Sequence, residues 1–286
     1  MELNQPLEPG VMFWAKGTAK ETLEEAKSFG VNGGHLGIPG DYSLEGKTAE
    51  WRRALEGDEF QIAAIFCAYN GEDYASFATV MDTVGFVPPR TRHERVERTK
   101  AVADFASELG VRSVACHVGF VPEDKESGVY GDMVKVVRDL CNHCHAHGQY
   151  FTMETGQEPP KVLLQFIRDV DRKNLAVNFD PANMILYGTG DPIGALDVLR
   201  NHVVSVHCKD GDWPLRDKPG LLGTERPLGK GSVGIENFVA KLKDVGYSGL
   251  LAVEREEADE NQRRQDLQHG VNLIKSLLQQ KGRPSD

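Results

Sequence analysis

Short apolar runs alternate with longer amphipathic stretches along the whole chain. The runs are GVMFWA (10–15), GVNGGHLG (30–37), QIAAIFCAY (61–69), VRSVACHVG (111–119), QYFTME (149–154), NLAVNFD (174–180), VVSVHCK (203–209) and GLLAVE (249–254). Each has strand length, and each reads as a strand. Between them lie charged segments with helical spacing, such as AKETLEEAKSFG (19–30) and IENFVAKLKDVGYSG (235–249). Several of these close on a glycine just before the next apolar run, which is a helix C-terminal signal. Eight strands alternating with helices predict an α/β fold, a (β/α)8 TIM barrel. No linker or low-complexity segment interrupts the pattern, so residues 1–286 are expected to form one domain, with 275–286 as a C-terminal tail.

In such barrels chemistry sits at the C-terminal ends of the strands. Here the last four runs end at Glu154, Asp180, His207 and Glu254. Residues two apart on a strand share a face. Glu154 therefore shares its face with Thr152, Asp180 with Asn178, His207 with Ser205, and Glu254 with Ala252. The opposite faces carry Phe151, Met153, Val177, Phe179, Val206 and Val253. Small or polar residues thus accompany each ligand-type side chain. Three carboxylates and one imidazole form an oxygen-rich donor set, which suits one divalent ion, Mn²⁺, Mg²⁺ or Co²⁺, with Zn²⁺ as a further candidate.

A second cluster competes for a metal. The stretch CNHCHAH (141–147) is rich in cysteine and histidine. It lies late in a predicted helix, where Val134, Val137, Leu140 or Cys141, and Cys144 recur at three- and four-residue steps. That spacing marks a buried stripe. The helix also ends at the barrel face opposite the strand C-termini. The two cysteines are therefore expected to pack in the core, and the catalytic metal to belong to the later glutamate.

Composition narrows the field further. The formal net charge is −10, which argues against nucleic acid as a partner. No apolar run reaches the ~18 residues of a membrane span, so no membrane partner is expected. The N-terminus lacks the basic and apolar regions of a signal peptide, and five cysteines fit a reduced compartment, so a cytoplasmic location is expected. Nothing in the composition decides between a monomer and a homo-oligomer.

The motifs FTMETGQE, NFDPANM, VHCKDGDW and PLGKGSVGIENFVAKLKDVGYSGLLAVE resemble those of the xylose isomerase-like TIM barrels, the group of sugar phosphate isomerases/epimerases and inosose dehydratases. They cover the C-terminal half of the chain. The resemblance implies one divalent metal held by Glu154, Asp180, His207 and Glu254, and a carbohydrate or cyclitol substrate. Ketose 3-epimerases of this family usually carry histidine three residues after the ligand aspartate and arginine six residues after the ligand histidine; this chain has Asn183 and Trp213 there.

Other residues fall near the expected chemistry. Lys209 shares parity with His207 and is placed either to polarise a substrate carbonyl or to pair with Asp210 at the rim. His117 ends the fourth run and is a candidate acid, base or hydroxyl partner. His35, Trp14, Asn183, Trp213 and Lys230 are candidate substrate contacts, and Gln157 and Glu158 candidate partners of the ligand Glu154. Glu154 and Glu254 are expected to serve as proton-transfer groups as well as ligands. The expected activity is metal-dependent isomerisation or epimerisation of a sugar or keto-sugar through an enediolate. The alternatives are a lyase or dehydratase acting on an inosose or 3-keto-glycoside, and a non-catalytic carbohydrate-binding barrel.

Overall fold

A computed structural model describes residues 6–280 of the 286-residue chain. Its strands are β1 (Leu7–Trp14), β2 (Gly33–Ile38), β3 (Gln61–Cys67), β4 (Ser113–Cys116), β5 (Tyr150–Glu154), β6 (Leu175–Phe179), β7 (Val203–Cys208), β8 (Asp210–Asp212), β9 (Thr224–Arg226) and β10 (Gly249–Val253). The helices are α1 (Ala19–Lys27), α2 (Lys47–Leu55), α3 (Phe77–Thr83), α4 (Pro89–Glu108), α5 (Gly128–Ala146), α6 (Pro160–Val170), α7 (Pro181–Tyr187), α8 (Pro192–Leu199), α9 (Ile235–Asp244) and α10 (Glu260–Gln279).

The eight expected strands are all present and form a closed barrel in the order β1-β10-β7-β6-β5-β4-β3-β2. β1 seals it by pairing in parallel with β10, from Leu7 opposite Gly249 to Val11 opposite Val253. The expected alternation of faces holds. Phe151, Met153, Val177, Phe179, Val206 and Val253 lie in the large core shared with the helices. A separate small cluster of Met12, Ala64, Phe66 and Ala115 collects other strand residues. Near it the Ser113 and Thr152 hydroxyls meet at 3.0 Å, so neither polar group is buried without a partner.

Two features differ from the sequence expectation. β8 and β9 form an antiparallel hairpin beyond β7 that periodicity missed, because strands of three residues carry too little pattern. Residues 275–279 are not tail but the last turns of α10, where Leu277 is buried with Ile274 against the barrel. Residues 281–286 of the expected tail lie outside the described residues. Among the described residues, no helix is long and apolar enough to cross a membrane.

α5 bears out the buried stripe. Val134, Val137, Leu140, Cys141 and Cys144 are all buried on it, and burial pushes the Cys144 thiol up to about 12. Changing Cys141 and Cys144 together to Ala is expected to lower stability by about 1–3 kcal/mol in denaturant unfolding. Turnover should be nearly unchanged, because both thiols pack away from the strand C-termini.

Candidate active site

Asp180 follows β6 directly and is the N-cap of α7. Its Oδ1 accepts hydrogen bonds from the backbone N–H groups of Ala182 at 2.8 Å and Asn183 at 3.0 Å. Pro181 occupies the first helical position, where a missing N–H costs nothing. The capping role locks the carboxylate and leaves Oδ2 buried without a partner. One side chain thus follows a strand, starts a helix and presents an unpartnered carboxyl oxygen.

Glu154, His207 and Glu254 meet Asp180 at this end of the barrel. Ligand-type atoms of the four residues all lie within 4.8 Å of one another, and all four side chains are buried. His207 Nδ1 stands 2.8 Å from Glu154 Oε1 and 3.0 Å from Glu254 Oε2. His117 Nε2 stands 3.1 Å from the other Glu154 oxygen. Asn178 Nδ2 donates to Glu154 Oε1 at 3.4 Å. Asn178 was legible only as an inward-facing residue, and its contact with Glu154 needs the register of β5 on β6, which sets the two side by side.

Electrostatics are strained in a way that a cation would relieve. Burial pushes the Asp180 carboxyl well above its ordinary value, with Lys209 pulling the other way. Burial opposes protonation of His207, yet the flanking Glu254 and Glu154 hold its imidazolium form well above the usual range. Burial also works against ionisation of Glu254, but His207 and Lys209 keep it strongly anionic. Three buried carboxylates therefore share one imidazole and one ammonium. Buried charge of this kind persists only when it is paired or coordinated. The unpartnered Asp180 Oδ2 and the mutual distances fit a single divalent ion with hard oxygen preference.

Lys209 does not pair with Asp210. Its Nζ lies 3.2 Å from Glu256 and 3.6 Å from Glu254. Asp210 instead holds the Gly229-Lys230-Gly231 turn, accepting from the N–H groups of Gly229 at 2.9 Å, Gly231 at 3.0 Å and Val233 at 3.1 Å. A Cβ at Gly231 would collide with the Asp210 carboxylate, so the turn requires glycine there. Lys230 itself is exposed.

A cavity of about 310 Å³ opens beside Glu154, Asp180, His207 and Glu254. His117, Asn183 and Lys209 line it, together with Tyr74, Tyr187 and Glu256. The last three were missed. Glu256 had a signal, sharing strand parity with Glu254; the tyrosines arrive from a loop and from α7, which no strand pattern can place. Trp14 lines a neighbouring cavity of about 380 Å³ that also touches Glu254 and Glu256. Trp213 lies just past β8 and is substantially exposed.

His35 is placed differently. It is buried inside the barrel, stacked on Phe66 and 5.2 Å from His207 between ring centroids. It borders a larger cavity of about 680 Å³ lined by strand beginnings such as Glu8, Gln61 and Tyr150. That cavity is at the opposite mouth, away from Glu154, Asp180, His207 and Glu254, so its size does not make it the candidate site. Burial holds the His35 imidazole well below its usual pKa, and it supports His207 as a neutral ring.

Gln157 and Glu158 are buried but make no hydrogen bond to Glu154. Both Glu158 oxygens lack partners, and burial pushes its carboxyl up to about 8. In the unfolded chain the same group ionises near 4.5. The neutral folded form therefore favours folding most below that value, and the advantage is lost as pH rises from about 4.5 to about 8. Glu158→Gln is expected to flatten the fall in stability across that window and to be more stable than the parent above it, as read by urea unfolding.

Residues 23–277 match the family model described as xylose isomerase-like TIM barrel. A xylose isomerase domain protein from Planctomyces limnophilus has a crystal structure that is 38% identical, with a TM-score of 0.88, and the match covers 95% of this chain and 97% of that one. A D-tagatose 3-epimerase-like protein superposes with a TM-score of 0.71 at 18% identity, over 95% of this chain and 97% of that one. The probable 3-DHS dehydratase AsbF from Bacillus anthracis superposes with a TM-score of 0.67 at 16% identity, over 93% and 98%. An uncharacterized protein of Methanocaldococcus jannaschii is 24% identical over 178 residues, so that 58% of each chain is spanned.

Proposed function

The chain belongs to the xylose isomerase-like TIM-barrel family, and on that premise we propose that it is a divalent-metal-dependent isomerase or epimerase of a sugar or keto-sugar. The observation that carries this reading is the convergence of Glu154, Asp180, His207 and Glu254 beside a cavity lined by His117, Asn183 and Lys209. Glu154, Asp180, His207 and Glu254 would hold a divalent ion, Mn²⁺, Mg²⁺ or Co²⁺ by the hardness of the donors, and when bound it would supply Lewis-acid polarisation of substrate oxygens.

The chain's own groups do the rest. Glu154 and Glu254 approach His207 Nδ1 together, and each is a carboxylate able to take the proton next to a carbonyl while the other returns one. His117 contacts Glu154 Oε2 and borders the cavity, so it can pass that proton on or bind a hydroxyl. The Lys209 ammonium faces the cavity and stabilises negative charge that develops on a substrate oxygen. Asn183 Nδ2 is buried, unpartnered and on the cavity wall, which suits a donor to a substrate hydroxyl. Its place in α7 depends on Gly156, whose positive φ of 140° and close approach to Asn183 leave no room for a side chain. Trp14, Trp213 and Lys230 lie further out and are assigned to the rim of a larger substrate.

The second reading is a lyase or dehydratase acting on an inosose or 3-keto-glycoside. It is favoured by two proton donors, His117 and Lys209, on the same cavity as the carboxylates, since a departing oxygen must be protonated. Turnover in D₂O distinguishes the two. An isomerase or epimerase is expected to return a product of unchanged formula with deuterium at the carbon next to the carbonyl. A lyase is expected to release water or an alcohol and leave an unsaturated product. An isomer without solvent label would overturn the proton-transfer roles of both glutamates.

A further inference from the structure

A second group of ligand-type side chains converges outside the barrel mouth. It consists of Asp104, His143 and His147. Asp104 lies on α4, His143 in the last turn of α5, and His147 is the residue that closes α5. Four-residue spacing sets the two imidazoles on one face of the chain. Their ring centroids are 5.3 Å apart. Both Nε2 atoms turn to the same oxygen of Asp104, His143 at 2.7 Å and His147 at 3.2 Å. The Ser107 hydroxyl stands 3.4 Å from His147 Nδ1, the kind of outer contact that fixes a ligand ring.

The surroundings suit a cation. The carbonyl end of α5 carries partial negative charge. The side chains of His143, His147 and Asp104 are 26%, 37% and 55% exposed, so an ion can reach them from solvent. Cys141 and Cys144 are buried on the inner face of α5 and take no part. The donor chemistry differs from that of the barrel mouth. Two imidazoles and one carboxylate suit borderline ions that accept nitrogen, whereas the mouth offers three carboxylates and one imidazole.

We infer that Asp104, His143 and His147 form a second, surface cation site that takes a transition ion such as Zn²⁺, Ni²⁺ or Cu²⁺ and clips α4 to α5. Its ligands neither line the substrate cavity nor touch the four residues at the mouth. The site therefore stands or falls independently of the proposed reaction. It binds by giving up the two imidazole contacts to Asp104 in favour of the ion.

The test uses the full chain, stripped of metal, with the metal alone as probe. Zn²⁺ titrated against a chromophoric chelator is expected to fill one more equivalent in the parent than in H143A/H147A. In an Asp180→Asn background, where the mouth is impaired, that equivalent should remain, and it should vanish when H143A/H147A is added. Cu²⁺ bound to the Asp180→Asn variant should show electron-spin splitting from two imidazole nitrogens that is lost when H143A/H147A is added. H143N/H147N, which keeps polarity at both positions, guards against a folding defect and should behave like the alanine pair. Zn²⁺ should also raise the melting temperature of the parent more than that of either double variant. Equal Zn²⁺ stoichiometry in parent and variants, or a copper spectrum of Asp180→Asn that H143A/H147A leaves unchanged, overturns the proposal.

Discussion

Turnover is expected to disappear when the protein is stripped by a chelator and to return on adding Mn²⁺ or Co²⁺. Three of the four buried ligand-type side chains are carboxylates, with ligand atoms within 4.8 Å of one another, and a cation among them would offset their mutual repulsion. His207 Nδ1 alone faces two glutamate oxygens, and Asp180 Oδ2 faces none of its own hydrogen-bond donors. Stripping should also lower the melting temperature, because an ion that binds only the native state adds about 2.7 kcal/mol when present at a hundredfold its Kd. Zn²⁺ is the less informative ion for rescue, since the proposed site at His143 and His147 would compete for it. Full activity in a sample shown by elemental analysis to be metal-free would remove the metal from the reaction.

Asp180→Asn is expected to cost at least about 10²-fold in turnover, beyond the roughly 10–100-fold typical of losing an outer-sphere partner. The geometry makes this substitution unusually clean. Asparagine is as good an N-cap as aspartate. Its amide oxygen can keep the bonds from the Ala182 and Asn183 N–H groups, so α7 should stay in place. What is lost is the charge at the position of the buried, unpartnered Oδ2. Metal content should fall while circular dichroism is preserved. Glu154→Gln should lose at least as much, because it removes a ligand charge and a proton-transfer group together, but it also disturbs His117, His207 and Asn178. An Asp180→Asn variant with normal metal content and normal turnover would show that the four strand ends are not one site.

The convergence of Glu154, Asp180, His207 and Glu254 was legible because each stands at a strand end next to large apolar residues and two positions from a small or polar one. Period-two alternation is a local property, and closing the barrel brings the ends of β5, β6, β7 and β10 to one mouth whatever the details of packing. The place of His117, Lys209 and Asn183 on the cavity wall was legible for the same reason: each lies at a strand end or one helical turn beyond it. His35 was on a strand too, but two glycines before it and a register shift between Gly34 and His35 hid its depth along the barrel. It ended beneath His207 instead of at the substrate. Tyr74 and Tyr187 come from a loop and a short helix, whose course depends on what they pack against.

The sequence by itself determined the barrel, the placing of Glu154, Asp180, His207 and Glu254 at strand ends and the burial of Cys141 and Cys144, because all of these follow from side-chain periodicity and chain order. Only the tertiary structure decided which partner each polar group takes. Lys209 went to Glu254 and Glu256 instead of its neighbour Asp210, which was drawn off to hold the glycine turn at 229–231. His143 and His147 found Asp104 on a different helix, about forty residues earlier in the chain. Such choices turn on distances of an ångström between groups remote in sequence, and electrostatic pairing is sensitive to distance and burial in a way that no local pattern records.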